Sequence, residues 1–175
     1  LDGQTVGRQV LMPSRTDFRK RILIDVYDVT ASLTPGEHVL GVILGNGWFN
    51  PQKKYWGWQM QWYGSPRALL QLEIEFDDGS SERVCSDAQW RGAWSPILFN
   101  CLYDGEEYDA RLEQTGWDAP GFEDSHWQVV NLVADPGGRR VMSAHEPGRI
   151  VEEIRPILVG EPAPDVFVFD MGKNM

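Results

Sequence analysis

The chain has 175 residues, of which 42% are hydrophobic and 24% charged, and its formal net charge is −10 at pH 7. This length and composition suit one globular domain with a hydrophobic core. The acidic balance argues against nucleic acid and against an anionic membrane surface as partners, because both bind a basic face. No apolar run reaches the length needed to cross a membrane. Neutral sugars and metal cations remain compatible with this charge.

The two cysteines, Cys85 and Cys101, are too few for a disulfide framework. We predict two buried free thiols. The alternative is a single disulfide, which would require neighbouring strands to bring the two residues together.

Short strands separated by turn residues dominate the predicted elements. The clearest strand spans residues 68–76, in which Leu70, Leu72 and Ile74 alternate with polar residues. A turn containing Asp78-Gly79 joins it to a returning strand at 81–85. In chain order, strands are predicted at 9–12, 21–27, 38–44, 68–76, 81–85, 128–132, 150–154 and 166–169, with short helical turns at 30–36 and 120–125.

Many short strands with almost no helical periodicity predict an all-β fold, an antiparallel β-sandwich or jelly roll. We predict that the sandwich spans residues 1–140 and that 141–164 form a connecting strand and a proline-containing linker. Residues 165–175 are predicted to begin a further β-domain. The missing initiator methionine and the short last strand indicate a piece of a longer protein, whose cellular location the sequence does not reveal.

The densest aromatic cluster lies between residues 48 and 63, where turn residues interrupt any strand or helix pattern. Long loops in compact domains are usually functional or disordered, and aromatic residues argue against disorder. We predict an aromatic loop whose rings stack on a sugar, a base or a partner protein. The alternative is that several rings close one end of the core. The aromatic residues are Trp48, Phe49, Tyr55, Trp56, Trp58, Trp62 and Tyr63.

A second segment, residues 95–111, concentrates carboxylates around a glycine turn. Hard oxygen ligands at such spacing suit Ca²⁺, although not in the EF-hand pattern. A carboxylate pair can also act as acid and base on a glycoside. The structural alternative is an ion-pair and hydrogen-bond network among Glu107, Asp109 and Arg111. The carboxylates of this segment are Asp104, Glu106, Glu107 and Asp109.

Nucleophilic catalysis finds little support in the sequence. His38, His126 and His145 are scattered along the chain, and we predict that all three lie on the surface. No Gly-x-Ser-x-Gly elbow, phosphate-binding loop or zinc-ligand spacing is present. We therefore predict no catalytic residue. Four separated tryptophans are predicted to pack in the core: Trp90, Trp94, Trp117 and Trp127.

A set of motifs follows in order along nearly the whole chain. The motifs are Val6-Gly7, Leu11-x-Pro13, Thr16-Asp17-Phe18, Tyr27-Asp-Val-Thr30, Pro35-Gly36-Glu37, Val39-Leu40-Gly41, Leu44-Gly-Asn-Gly-Trp-Phe49, Pro66-Arg-Ala-Leu-Leu70, Asp78-Gly79, Ser95-Pro-Ile-Leu98, Gly105-Glu-Glu-Tyr-Asp-Ala-Arg111, Gly116-Trp117 and Phe122-Glu-Asp-Ser-x-Trp127. Each motif alone is weak, but the ordered set is specific. It resembles the N-terminal β-sandwich domain of bacterial α-L-rhamnosidases. Residues 170–175 resemble the first strand of the β-domain that follows it in those enzymes.

The resemblance implies a fold like that of galactose-binding-like carbohydrate-binding modules, in an accessory domain of an inverting α-L-rhamnosidase. The helical (α/α) barrel, with the catalytic acid and base, is expected in another part of the parent protein. This chain alone is therefore expected to be inactive. The implied partners are glycans or glycosides containing L-rhamnose, together with the barrel and other β-domains of the parent. The alternative is a structural domain that buttresses the barrel and binds no sugar.

The resemblance also implies site residues. Some members of this domain family resemble a calcium-dependent rhamnose-binding module, so calcium is an optional cofactor here, with Asn100, Gly105 and Asp109 as candidate ligands. Asn46 stands where an acidic residue is common, and this loss of charge weakens the calcium case. The substrate-binding residues expected from the resemblance and the aromatic loop are Asn46, Trp48, Trp56, Asn100, Glu107, Asp109 and Arg111.

Overall fold

The computed structural model describes residues 1–52 and 61–174. These residues form ten short strands and two single-turn 3-10 helices. The strands are β1 (Arg21–Ile24), β2 (Gln71–Glu75), β3 (Ser81–Cys85), β4 (Arg91–Gly92), β5 (Ile97–Cys101), β6 (Gly105–Tyr108), β7 (Gln128–Val129), β8 (Arg139–Met142), β9 (Leu158–Ala163) and β10 (Val166–Asp170). The 3-10 helices η1 and η2 span Thr30–Ser32 and Ala110–Leu112.

The described strands pair two by two, and four of the five ladders are antiparallel: β2–β3, β4–β7, β5–β6 and β9–β10. In β2, Leu72 and Ile74 are half-buried while the polar residues between them are exposed, as the alternation predicts. The fifth ladder, β1–β8, is parallel and pairs Arg21 with Arg139. An all-β fold of mainly antiparallel strands is therefore confirmed.

Some segments that were predicted as strands do not form ladders. Residues 38–44 form no ladder within the described chain. Instead, the backbone of Val39 accepts a hydrogen bond from Asp2 N over 2.9 Å and donates one to Asp2 Oδ1 over 2.7 Å. Of the predicted strand 9–12, only Gln9 pairs, in an antiparallel bridge with Arg149, and residues 150–154 form no ladder within the described chain. An apolar run indicates extended backbone, but it does not identify the partner.

The chain divides into two compact units. The first comprises Leu1–Gly7 and Pro13–His145 and contains β1 to β8. The second comprises Arg8–Met12 and Glu146–Met175 and contains β9 and β10.

The best-buried apolar side chain of the first unit is Phe18, which is 5% exposed. Its ring packs edge-on against Phe49 at 5.2 Å and against Tyr63 at 5.0 Å between centroids. The packed core is therefore centred where the aromatic loop begins and ends, rather than within a broad sheet.

Both cysteines are free, as predicted, but Cys85 is exposed and Cys101 half-buried. The prediction of burial was wrong for Cys85 because all of β3 is exposed. Trp94 also departs from its predicted core position: it is 96% exposed. By contrast, Trp117 and Trp127 stack on each other with centroids 6.2 Å apart.

Candidate functional site

The aromatic loop has a closed neck. Phe49, near its start, and Tyr63, at its end, stack with ring centroids 5.7 Å apart. The backbone N of Tyr63 donates to the Phe49 carbonyl over 3.0 Å. Two guanidinium groups cover this pair: Arg67 lies 5.1 Å from the Phe49 ring centre and Arg19 lies 5.4 Å from that of Tyr63. The described ends of the aromatic loop therefore contact each other. Trp56, Tyr55 and Trp58 lie outside the described residues.

Three asparagines form what we call the amide corner: Asn46, Asn50 and Asn100. Asn46 grips β5 at two points, because its backbone N donates to Asn100 Oδ1 over 2.8 Å and its Nδ2 donates to the Asn100 carbonyl over 3.1 Å. Gly47 follows with φ +47°, a conformation that favours glycine. The predicted site residues Asn46 and Asn100 thus lie in direct contact, although 54 positions separate them in the sequence.

Asn50 is the third member of the amide corner, and the sequence interpretation did not single it out. It is a polar residue only 9% exposed. Its Oδ1 accepts from Trp62 Nε1 over 2.7 Å and from Gln52 Nε2 over 3.2 Å, while its Nδ2 donates to Asn46 Oδ1 over 2.8 Å. A buried amide with its hydrogen bonds satisfied joins the two ends of the aromatic loop to Asn46. In the sequence, Asn50 stands out only as a polar residue four positions after Asn46, and such a spacing is too common to indicate a site.

The half-buried Trp48 lies beside the amide corner. The Arg15 guanidinium sits 4.6 Å from its ring centre, and Tyr103 packs against it edge-on with centroids 6.0 Å apart. Tyr103 belongs to the turn after β5, so Trp48 and Asn100 approach the same end of that strand. Neither Arg15 nor Tyr103 was predicted as a site residue.

The acidic segment folds into the β5–β6 hairpin. Gly105 pairs with Cys101 beside the turn, Glu106 lies opposite Asn100, and Glu107 lies opposite Phe99. Asp109 follows the far end of β6, where its N donates to the Pro96 carbonyl over 2.9 Å. The hairpin therefore places Gly105 near Asn100 and carries Asp109 away from both.

Asp109 and Arg111 hold each other in a bidentate ion pair. Arg111 Nε donates to Asp109 Oδ1 over 2.8 Å, and a terminal guanidinium nitrogen donates to Oδ2 over 2.5 Å. Oδ1 also accepts from the Arg111 backbone N, which caps η2. These bonds, the side-chain ones first, lower the pKa of Asp109 and raise that of Arg111. Of the predicted network, the structure shows the ion pair between Asp109 and Arg111.

Two of the three residues predicted to bind calcium, Gly105 and Asp109, lie at opposite ends of β6. Asp109 lies four positions after Gly105 along extended backbone, which spans about 13 Å at about 3.3 Å per residue. Two ligands of one Ca²⁺ lie within about 5 Å of each other. The Asp109 carboxylate also already forms an ion pair with the Arg111 guanidinium. Across residues 1–52 and 61–174, no group of three or more His, Cys, Asp or Glu side chains is arranged to hold a metal ion.

The three histidines occupy separate places. His38 is half-buried rather than exposed, and its Nδ1 lies 2.6 Å from Asp2 Oδ2. His126 and His145 are exposed, as predicted. His126 contacts Gln114, and His145 lies between Ser14 Oγ at 2.5 Å and Ser143 Oγ at 3.0 Å. His38 differs from the prediction because Asp2 and the Thr34 carbonyl contact its ring, and the contact with Asp2, 36 positions away, is not revealed by sequence spacing.

Comparison with known proteins identifies the family. The sequence profile of the family described as the α-L-rhamnosidase N-terminal domain matches residues 1–152. An α-L-rhamnosidase from Streptomyces avermitilis is 41% identical over an alignment covering 100% of this chain and 17% of that protein. One from an Alteromonas species is 33% identical, covering 100% of this chain and 19% of its own length.

Solved structures agree with this assignment. The Streptomyces avermitilis α-L-rhamnosidase complexed with L-rhamnose superposes on 99% of this chain and 17% of its own, with a TM-score of 0.78 and 37% identity. The native enzyme from Aspergillus terreus covers 99% of this chain and 20% of its own, with a TM-score of 0.78 and 30% identity. These likenesses confirm the predicted fold class.

This chain spans less than a fifth of the curated relatives that it matches. Within the described residues, no helix is long and apolar enough to cross a membrane. The profile match covers most of the sequence, and relatives align with it from end to end. The chain therefore belongs to the family of α-L-rhamnosidase N-terminal domains.

Proposed function

We propose that this chain is a non-catalytic, carbohydrate-binding domain of a longer α-L-rhamnosidase. In the proposed parent, an (α/α) barrel outside this chain hydrolyses terminal α-L-rhamnose from glycosides with inversion. The observation that carries the proposal is the meeting of Asn46, Trp48 and Asn100 at one end of β5.

This arrangement suits a neutral sugar. A tryptophan ring offers an apolar face for the carbon side of a sugar ring, and neutral amides offer donors and acceptors to hydroxyl groups. Binding sites of this kind combine aromatic walls with a few fixed polar groups. The match to a rhamnosidase solved with L-rhamnose supports the choice of ligand. We place the ligand at Trp48 and Asn100, with Asn46 as their support.

We also propose that sugar binding here requires no Ca²⁺. A calcium site needs several oxygen ligands with free lone pairs. Each of the two Asn100 oxygens already uses one of its two lone pairs to accept a hydrogen bond from Asn46, and the Asp109 carboxylate is paired with the Arg111 cation. Glu107, Asp109 and Arg111 would then shape the far end of the hairpin instead of holding an ion.

Calorimetric titration of the full chain with L-rhamnose tests the proposal, once with added CaCl₂ and once with EDTA. We expect saturable binding under both conditions. Trp48→Ala should weaken it about tenfold, which corresponds to about 1.4 kcal/mol. The matched control is Trp94→Ala, because Trp94 is 96% exposed and lies outside the amide corner. Binding seen only with calcium would overturn the metal-independent site, and no binding in either condition would overturn the carbohydrate role.

A structural role within the parent enzyme is the second candidate, and the β9–β10 ribbon favours it. The consecutive residues Val166, Phe167, Val168 and Phe169 are each 50–58% exposed, so both faces of the ribbon present apolar side chains. A two-stranded ribbon is marginal in water by itself. We infer that other β-rich parts of the parent chain cover it.

The two roles can be separated in the parent enzyme. Replacing Phe167 and Phe169 together by Ser should lower its thermal unfolding midpoint and leave the rhamnose affinity of this domain unchanged. An unchanged midpoint would argue against the structural role.

A further inference from the structure

We propose that Trp62 and Asn50 are positioning residues that fix the side-chain amide of Asn100 as a hydrogen-bond donor toward the sugar. This inference rests on the proposed carbohydrate-binding role and assigns the polarity of that site. Its basis is a chain of hydrogen bonds from Trp62 through Asn50 and Asn46 to Asn100, which we call the amide relay.

The direction of the amide relay is set at Trp62. An indole nitrogen can only donate, so Asn50 must turn its oxygen toward Trp62 Nε1, which lies 2.7 Å away. Gln52 Nε2 donates to the same oxygen over 3.2 Å and reinforces this orientation. If the Asn50 amide were reversed, two donors would face its NH₂ group. The NH₂ group of Asn50 therefore points toward Asn46.

Asn46 transmits the orientation to β5. It presents Oδ1 to Asn50 Nδ2 at 2.8 Å, so its own Nδ2 faces the Asn100 carbonyl at 3.1 Å. Held in this way, Asn46 also keeps its backbone N–H on Asn100 Oδ1 at 2.8 Å. Asn46 thus donates two hydrogen bonds to Asn100, one to its side-chain oxygen and one to its backbone carbonyl.

This grip leaves the nitrogen of the Asn100 side chain on the side away from Asn46. Asn100 Oδ1 also faces the Gly45 backbone, since a Cβ built on Gly45 would lie 3.5 Å from it. The group that Asn100 offers is consequently an N–H donor, and its complement is a hydroxyl oxygen of the sugar. A cation in the same place would instead need the oxygen of the Asn100 side-chain amide to face it.

Two substitutions break the amide relay, and Asn50→Asp also keeps the shape of the side chain. Trp62→Phe removes the indole N–H but retains an aromatic ring. Asn50→Asp still accepts from Trp62, but its carboxylate faces the Asn46 oxygen and cannot donate to it. The matched controls are Trp94→Phe, at a solvent-exposed ring, and Asn131→Asp, which adds the same charge at an exposed position.

The first readout is the ¹⁵N NMR spectrum of the full chain without sugar. We expect both relay variants to shift the side-chain NH₂ signals of Asn46 and Asn100 and to speed exchange of the Asn46 backbone N–H. The two controls should leave these signals in place. Unchanged Asn100 signals in Trp62→Phe would overturn the amide relay, whether or not the chain binds sugar.

The second readout is L-rhamnose affinity, measured beside thermal unfolding. Both relay variants should weaken binding about five- to tenfold, and their double variant should weaken it no more than either one, because each breaks the same chain of hydrogen bonds. For Trp62→Phe the affinity loss should persist at temperatures where the variant is fully folded. Shifted Asn100 signals with unchanged affinity would overturn the positioning role. No binding by the wild-type chain would remove the proposed function and leave the NMR result to judge the relay.

Discussion

The two ends of the predicted site are built in opposite ways. At the amide corner, neutral side chains join segments far apart in the sequence, and Asn50, its best-buried member, is 9% exposed. At the far end of the β5–β6 hairpin, Asp109 and Arg111 are charged, lie two positions apart, and Arg111 is 88% exposed. Exposed ion pairs contribute little to stability, whereas buried amides are costly to leave unpaired. The neutral end should therefore hold the fold together, and the charged end should be dispensable.

The largest loss of stability is expected at the neck beside the amide corner. Phe18→Ala removes the ring that packs against Phe49 and Tyr63, and it should lower the free energy of unfolding by about 3–4 kcal/mol. Urea denaturation followed by tryptophan fluorescence measures this. Phe167→Ala is the control, because that ring is 56% exposed. Equal losses in both variants would contradict a core centred on Phe18.

Asn50→Ala should follow, with a loss of about 1–3 kcal/mol. The substitution leaves Trp62 Nε1 and Asn46 Oδ1 without their partner in a partly buried place. Urea denaturation compares it with Asn131→Ala, an exposed asparagine for which we expect almost no change. A loss at Asn50 no greater than at Asn131 would show that the amide corner is not a stabilising element.

His38 and Asp2 form a charged pair 36 positions apart. They therefore test whether charge or sequence distance decides how much a pair contributes to stability. The bond to the Thr34 carbonyl, followed by the bond to Asp2, raises the pKa of His38 above its ordinary 6.5. The hydrogen bond to His38 and then that to Val39 N lower the pKa of Asp2 below 3.8. Stability from protonated His38 is thus fully present below pH 6.5 and is lost as pH rises through the raised pKa. Stability from ionised Asp2 is present above pH 3.8 and is lost as pH falls through the lowered pKa.

The denaturation midpoint should therefore fall as pH rises from about 6 to about 9. His38→Gln should flatten this dependence, and His126→Gln, at an exposed histidine, should leave it intact. An NMR titration that places the pKa of His38 below 6.5 would contradict the pairing.

The smallest effect is expected at the charged end. Arg111→Ala should leave the denaturation midpoint almost unchanged, because water replaces the exposed guanidinium. Asp109→Asn is the second variant. It removes the charge of the pair, but its amide oxygen can still cap η2 by accepting from the Arg111 backbone N. A double-mutant cycle between the two positions measures their coupling. A large coupling energy would show that the charged end stabilises the fold as much as the amide corner does.

Local patterns were readable from the sequence, and long-range pairing was not. Alternation at residues 70–76 predicted β2, and the Asp78-Gly79 turn predicted the hairpin with β3. The sequence did not predict β4, β5, β6, β8 or β9. Glycine opens β6, and glycine and proline interrupt β9. At the site, Asn46 and Asn100 came from the resemblance, and the fold brings them together. Asn50, Arg15 and Tyr103 act through contacts that no spacing rule encodes.

The parallel β1–β8 ladder sets an order of events during synthesis. Because Arg21 pairs with Arg139, about 118 residues must leave the ribosome before β1 finds its partner, which takes roughly 6 to 24 seconds at typical elongation rates. During that interval Ile22, Leu23 and Ile24 present an unpaired, apolar edge. Contacts of such long range form slowly even in a complete chain. β1 thus precedes its partner by most of this chain and is secured late, and its edge is where a nascent chain would need chaperone protection.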